Sequence, residues 1–185
     1  MHILQLSIVI HSEGGVMLKN EPAVGVFSPD DIEKIILDSY DEIYRYCYWR
    51  IKNKSDAQDL TQETFLKFVQ GISTYLDQGK PKALLYTIAR NLCINWHKKA
   101  GHTAWCDVDE KLSAVLPDDM ERIENKVVLQ QLLDELPDEQ VDILLLRYGQ
   151  GLKINEIAKI IGKSRFVVRN HINSSLATLR RKLKI

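Results

Sequence analysis

Apolar residues that recur every three or four positions constrain the start of this chain more than any other feature. Residues 28–31, Ser-Pro-Asp-Asp, offer a helix N-cap, a proline suited to the first helical position and an acid at the third. The apolar residues that follow recur with the 3.6-residue period of an α-helix, so they would lie on one buried face. This pattern predicts an amphipathic helix through about Lys52. The stripe consists of Ile32, Ile36, Tyr40, Ile43, Cys47 and Ile51.

Helical signals continue along the chain, whereas the alternation typical of strands is scarce. Ser55-x-x-Gln58 predicts a capping box for a second helix, and Pro81 predicts the start of a third after a loop over 71–80. The third helix has a predicted core stripe of Leu85, Ile88, Leu92 and Trp96. We therefore predict an all-α fold, with further helices at about 119–135, 137–148, 154–161 and 164–184.

Charge is distributed in blocks, although the whole chain is neutral. Residues 28–43 sum to −5 and 44–103 to +6, whereas 104–142 sum to −9 and 143–185 to +9. Two basic blocks separated by an acidic one indicate two anion-binding modules rather than one neutral enzyme. We predict two small helical domains, at 28–100 and 119–185, joined by a flexible acidic linker at 101–118.

The N-terminus and the cysteines indicate where the protein resides. The apolar run 3–10 is too short to span a bilayer, and it lacks the basic start and cleavage site of a signal peptide. We expect residues 1–27 to be a disordered N-terminus or a leader translated from a misassigned start, with Met17 as the true start. Three cysteines without a CxxC pair favour reduced thiols in a cytoplasmic protein that has no membrane association.

The C-terminal basic block carries a helix-turn-helix pattern. Gly162 is suited to ending one short helix, and Ser164 is suited to capping the next. Such a motif places the start of its second helix in the major groove, where arginine pairs with guanine and asparagine with adenine. Val168 and Ile172 would pack inward. The residues expected to face DNA are Arg165, Phe166, Val167, Arg169, Asn170 and Asn173.

Two long segments resemble a known family. Residues 132–183, LLDELPDEQVDILLLRYGQGLKINEIAKIIGKSRFVVRNHINSSLATLRRKL, are similar to region 4 of bacterial sigma-70-family factors, and residues 40–100 resemble region 2. A chain with only these two regions resembles the extracytoplasmic-function (ECF) group. The resemblance implies a sigma factor, not an enzyme, whose region 4 reads the −35 promoter element and whose region 2 reads and opens the −10 element.

The resemblance also implies partners and no cofactor. These partners are promoter DNA, an anti-sigma factor and core RNA polymerase, through its β′ clamp helices and its β flap. DAQDLTQETFLKF, residues 56–68, resembles the segment that docks on the clamp helices. Asp59, Gln62 and Glu63 match its contact positions and Phe65 an apolar position beside them. Acids there would pair with basic residues of polymerase and fix the register.

For −10 DNA, the resemblance implies contacts from the loop before the third helix and from that helix. Tyr75 in the loop would stack on a flipped base, an interaction worth ~1–3 kcal/mol. The resemblance also adds Ser164 and His171 to the −35 residues. The other −10 residues are Lys80, Tyr86, Arg90, Asn91, Asn95, Lys98 and Lys99.

Two alternatives stay open. Cys93, His97, His102 and Cys106 would suit zinc chemically, but their spacing is not a usual zinc framework, so we predict no metal. The first alternative is therefore a metal-dependent nuclease or a metal-gated sensor, and the absence of an HExxH motif from the sequence argues against it. The other alternative is a stand-alone helix-turn-helix regulator, which would bind duplex DNA without polymerase.

Overall fold

The computed structural model of the protein describes residues 27–72, 81–100 and 128–183. Within these ranges the backbone consists of helices and short turns, without strands, so the all-α prediction is confirmed. The chain divides into two compact units, Met1–Lys99 and Ala100–Ile185. None of the described helices combines the length and the apolar character needed to cross a membrane. Residues 1–26 of the predicted leader, Tyr75, Lys80 and the linker lie outside the described residues, and the domain boundaries stay a prediction.

Helix α1, Pro29–Ile51, begins at the predicted cap. The Asp31 backbone N–H donates to Ser28 Oγ at 3.1 Å, while the Ser28 backbone N–H donates to Asp31 Oδ2 at 3.0 Å. The Ser28 hydroxyl also donates to that oxygen, at 2.7 Å. These bonds, led by the one from the side chain, hold the pKa of Asp31 below its usual value. The reciprocal pairs satisfy backbone donors that the first turn leaves without helical partners.

Ser28→Ala is expected to lower the free energy of unfolding by about 1 kcal/mol at neutral pH, because it removes the N-cap acceptor. Since the cap lowers the pKa of Asp31, the difference from wild type should be present above the unfolded pKa and shrink as acid protonates the carboxylate. Urea denaturation at several pH values measures both effects. Ser55→Ala is the matched control, since Ser55 lies inside a helix, and equal losses in the two variants would contradict the assignment of the cap.

Two residues, Lys52 and Asn53, separate helix α2, Lys54–Gly71, from the end of α1. Lys52 adopts a left-handed conformation with φ 60°, and Asn53 then caps α2 by accepting from the Asp56 backbone N–H at 3.1 Å. The capping box predicted at Ser55 and Gln58 is therefore wrong. Because Lys52 turns the chain and Asn53 caps the next helix, Ser55 already lies in the first turn of α2.

The three helices of the N-terminal unit share one core. α1 and α2 run antiparallel: Tyr40 stacks on Phe65 with ring centroids 5.7 Å apart and 11° between their planes. Helix α3, Pro81–Ala100, packs on another side of α1, where Tyr46 and Tyr86 meet edge to face at 5.7 Å. The fully buried side chains at the centre include Ile43, Tyr46, Cys47, Phe65, Phe68, Leu85 and Cys93.

The buried face of α3 is rotated from the predicted stripe. Leu85 and Leu92 are buried as expected, but Ile88 and Trp96 are partly exposed. The remaining buried positions are Tyr86, Ala89 and Cys93. On this face Tyr86 meets Tyr46 of α1 and Cys93 meets Cys47 of α1, and all four side chains are buried.

The C-terminal unit contains the predicted helix-turn-helix. A helix at 128–134, here α4, precedes α5, Asp138–Leu144, whose N-cap is Pro137 rather than the predicted first helical residue. α5 continues into a π-helical turn at Leu145–Gly149. Helices α6, Ile154–Ile161, and α7, Arg165–Leu183, follow.

The turn between α6 and α7 matches the sequence prediction. Gly162 has φ 73°, a left-handed conformation that favours glycine, and its N–H donates to Ala158 O at 3.0 Å. Ser164 Oγ accepts from the Val167 N–H at 3.3 Å and so caps α7. Ile157, Ile161 and Val168 are buried, which fixes the start of α7 on the outside of the motif.

Candidate nucleic-acid interface

The first turns of α7 present a polar and basic face to solvent. All six of the residues that form it are exposed, and Phe166 is 72% exposed. Val168 and Ile172 on the opposite face are buried, so the motif cannot rotate this face inward without losing its core. The six residues are Ser164, Arg165, Phe166, Arg169, Asn170 and Asn173.

Two other predicted residues of α7 lie at the edge of this face. Val167 is partly buried. His171 Nε2 lies 3.5 Å from Glu139 Oε1 on α5, and Lys163 Nζ lies 3.9 Å from the other oxygen of the same carboxylate. The structure thus directs His171 toward α5, and its contact with DNA stays a prediction.

A basic pocket adjoins the exposed face of α7, and sequence reasoning missed part of it. It has a volume of about 550 Å³, and Arg165, Phe166 and Arg169 form one side. Arg147 on the π-helical turn, with Lys153 at the start of α6, lines the other side. The sequence indicated only that both belong to a basic block; their place beside α7 depends on the fold.

The exposed side of α3 carries the amide and lysine residues predicted to contact −10 DNA. Asn91, Asn95 and Lys98 are exposed and recur at helical steps, so they share one face opposite the core. Lys99 is exposed beside them, whereas Arg90 is partly buried on another flank. The face offers hydrogen-bond donors and positive charge to a nucleic-acid strand.

Tyr86 differs from the other predicted −10 residues because it belongs to the core. It is 1% exposed, and its hydroxyl donates to Glu42 Oε2 at 3.4 Å. Burial and the adjacent Glu42 carboxylate raise the pKa of Tyr86. Lys82 Nζ lies 3.0 Å from the same carboxylate oxygen. In this arrangement Tyr86 supports α3 from within and has no surface on which a base could stack.

α2 presents carboxylates to solvent within a basic segment. Asp59 and Glu63 are exposed and Gln62 is partly exposed, as a docking surface requires. Phe65 is fully buried against Tyr40, so it supports the helix from inside. The exposed apolar residue beside the carboxylates is Leu66, at 39% exposure, which the sequence interpretation did not single out.

The cysteine and histidine residues on α3 have protein partners. A hydrogen bond from the Cys93 thiol lowers the pKa of Cys47. His97 Nε2 lies 3.0 Å from Arg50 O. His102 and Cys106 lie outside the described residues. Within the described part of the chain, no three His, Cys, Asp or Glu side chains converge on a point that could hold a metal ion.

Comparison with known proteins identifies both units. Residues 35–103 match the family model of sigma-70 region 2, and residues 132–181 match that of sigma-70 region 4. The ECF RNA polymerase sigma factor BldN of Streptomyces coelicolor is 35% identical over 158 residues, which cover 80% of this chain and 59% of BldN. RNA polymerase sigma factor YlaC of Bacillus subtilis is 31% identical over 161 residues, which cover 84% of this chain and 91% of YlaC.

A solved structure agrees on the fold. The sigma factor RpoE from Bartonella quintana, solved with the anti-sigma factor NepR, gives a TM-score of 0.67 at 18% identity and covers 84% of this chain and 98% of its own. At that identity the likeness shows the fold alone. The two family matches and the likeness to YlaC over nearly its whole length show more: the chain belongs to the sigma-70 family of RNA polymerase sigma factors, in its ECF group.

Proposed function

We propose that this sigma factor acts as a dissociable promoter-specificity subunit through three separate surfaces. The exposed carboxylates of α2 dock on the β′ clamp helices, the amide and lysine face of α3 captures the −10 strand, and the start of α7 reads the −35 duplex. The observation that carries the proposal is the exposure of Asp59 and Glu63 within a basic block. A surface that only bound DNA would gain nothing from carboxylates at that place.

Binding energy alone opens the duplex in this proposal. Removing a base from the stack costs a few kcal/mol, which contacts to the displaced strand must offset. Asn91, Asn95 and Lys98 supply such contacts on α3, and Tyr75 stays the candidate stacking platform in the preceding loop. The protein itself then needs neither a catalytic group nor a cofactor, and it works in the cytoplasm, where polymerase and promoters are.

Further partners are part of the same proposal. We propose that the C-terminal unit also contacts the β flap of polymerase. We also include an anti-sigma factor, since RpoE was solved with one. Such a partner would have to cover at least one of the three surfaces to prevent transcription.

Glu63→Gln should weaken binding to core polymerase by about fivefold, which is close to 1 kcal/mol for an exposed charge pair. Fluorescence titration of labelled sigma factor with core enzyme measures the change. Because Glu63 lies 3.5 Å from Lys67 within α2, Lys67→Gln serves as the control. It breaks the same internal pair but keeps the carboxylate, so it should bind core as well as wild type does. Equal weakening in both variants would indicate a loss of helix structure instead.

Run-off transcription with purified core enzyme over a promoter library tests the function as a whole. The reconstituted holoenzyme should initiate at a subset of promoters that share −35 and −10 motifs, and core enzyme alone should not. A stand-alone helix-turn-helix regulator would instead protect a duplex site without polymerase. Footprinting of the free protein on the selected promoters distinguishes the two functions, and failure to associate with core at low ionic strength excludes the proposed one.

A further inference from the structure

Glu139 is an acid at the edge of the exposed face of α7. It lies in the first turn of α5, and its carboxylate contacts two other parts of the C-terminal unit. His171 Nε2 of α7 lies 3.5 Å from one carboxylate oxygen, and Lys163 Nζ, in the turn before α7, lies 3.9 Å from the other. All three side chains remain partly accessible to solvent. A single carboxylate thus engages both a lysine and a histidine beside the recognition helix.

Hydrogen bonds on both sides hold this cluster in place. The Lys163 N–H donates to Ala158 O at 3.0 Å, which fixes the turn before α7. On α5, the residue after Glu139 is Gln140, whose Oε1 accepts from Ser175 Oγ at 2.8 Å. Ser175 is fully buried, so this hydrogen bond ties α5 to α7 from inside the unit. The carboxylate of Glu139 therefore stays beside α7.

The position of Glu139 brings negative charge close to where a bound duplex has its phosphates. Lys163 directly precedes Ser164, the first residue of the exposed face of α7. An α-helix with its side chains is about 10–12 Å wide and the major groove is about 12 Å wide, so groups along a flank of the helix lie beside a phosphate strand. On such a flank the carboxylate repels DNA, and it also neutralises the lysine that would attract DNA.

We propose that Glu139 limits the sequence-independent binding of this protein to DNA. The inference rests on the proposed −35 function, in which the start of α7 meets the duplex. The carboxylate engages Lys163 and His171, so neither is available to a phosphate while these contacts persist. Phosphate contacts supply affinity without base information, so Glu139 lowers affinity for all duplexes alike and leaves base preference unchanged. Weak binding to non-promoter DNA keeps the free protein available to core polymerase.

Full-length Glu139→Gln tests the inference. Fluorescence anisotropy at several salt concentrations measures its binding to a labelled duplex that lacks a −35 motif. Because the substitution releases one positive charge at Lys163, affinity should rise about fivefold at physiological salt, and the slope of log K against log salt should become steeper by about 1. Holoenzyme should show the same gain on a promoter selected by run-off transcription, and relative affinities for −35 base substitutions should not change.

Further variants identify the source of the gained affinity. Adding Lys163→Gln to Glu139→Gln should restore the wild-type affinity and slope, whereas Lys163→Gln alone should bind more weakly than wild type, since the carboxylate stays. Glu135→Gln is the matched control, because Glu135 pairs with Lys182 near the other end of α7. Lys182 lies roughly 16 Å from His171 at 1.5 Å per residue. That is about twice the Debye length of about 8 Å at physiological salt, so the control should leave affinity nearly unchanged.

Several outcomes would overturn the inference. An unchanged affinity and salt slope in Glu139→Gln would do so, and so would equal gains in Glu139→Gln and Glu135→Gln, which would reflect net charge alone. A gain that persists when Lys163 is also replaced would exclude the lysine as its source. A changed preference at one −35 base pair would show that the carboxylate reads a base, since glutamate can accept a hydrogen bond from the amino group of cytosine.

DNA binding by the free protein separates this inference from the proposed function. If wild-type holoenzyme initiates normally and Arg169→Ala alters −35 preference while Glu139→Gln has no effect, only the role of Glu139 fails. If wild type does not associate with core enzyme, the proposed function fails, whereas the anisotropy measurements still decide whether Glu139 weakens DNA binding. Thermal unfolding of each variant checks that the C-terminal unit stays folded.

Discussion

Replacing Phe65 with alanine is expected to lower the free energy of unfolding of the N-terminal unit by about 3–5 kcal/mol. Phe65 is fully buried and stacks on Tyr40, so its loss removes apolar contacts and leaves a cavity between α1 and α2. Denaturation followed by circular dichroism and by tryptophan fluorescence measures the change. Binding to core polymerase should fall only where the unit has unfolded.

Leu66→Ala is the matched control for that experiment. Leu66 follows Phe65 on the same helix but is 39% exposed. Its truncation should therefore change the free energy of unfolding by less than about 1 kcal/mol. It should weaken binding to core enzyme directly, as loss of an apolar contact beside Glu63. If Phe65→Ala instead keeps wild-type stability and loses core binding, Phe65 contacts polymerase as its sequence position suggests.

Arg169→Ala is expected to relax recognition of one −35 base pair by about 1–3 kcal/mol. That corresponds to ~5- to 150-fold in relative affinity. The reason is the exposed position of Arg169 on the outer face of α7, where a guanidinium can donate two bonds to guanine. Holoenzyme affinities for promoters substituted singly at each −35 position measure the effect.

Arg180→Ala provides the comparison, because Arg180 is exposed on the same helix but near its other end. It should lower affinity for every promoter by a similar factor or leave it unchanged. Selective loss at one base pair in Arg180→Ala, with no selectivity change in Arg169→Ala, would mean that α7 lies in the groove in another orientation.

Local chemistry made the start of α1, the turn between α6 and α7 and the recognition face predictable. Ser28 and Gly162 satisfy backbone requirements that depend only on their neighbours in sequence, and the structure places both as expected. The exposed face of α7 followed from helical periodicity, since its buried partners Val168 and Ile172 recur at the required spacing.

Tertiary packing determines which side chains are buried at positions where the local sequence leaves this open. Phe65 and Leu66 are adjacent apolar residues, and only the stack on Tyr40 determines which of them is buried. The predicted core stripe of α3 leaves Tyr86 outside the core and on the side assigned to DNA, but Glu42, 44 positions earlier, accepts a hydrogen bond from its hydroxyl in the folded unit. Arg147 reaches the pocket through a π-helical turn, for which the periodicity of the sequence gave no sign.

The packing of both α2 and α3 on α1 has a consequence for how promoters are opened. Tyr40 fixes α2 through Phe65, and Tyr46 fixes α3 through Tyr86, from positions less than two helical turns apart. Under the proposed function, a polymerase that binds α2 would therefore also determine where α3 meets the melted strand. A substitution in α1 that shifts α2 relative to α3 would then be expected to change the position of initiation.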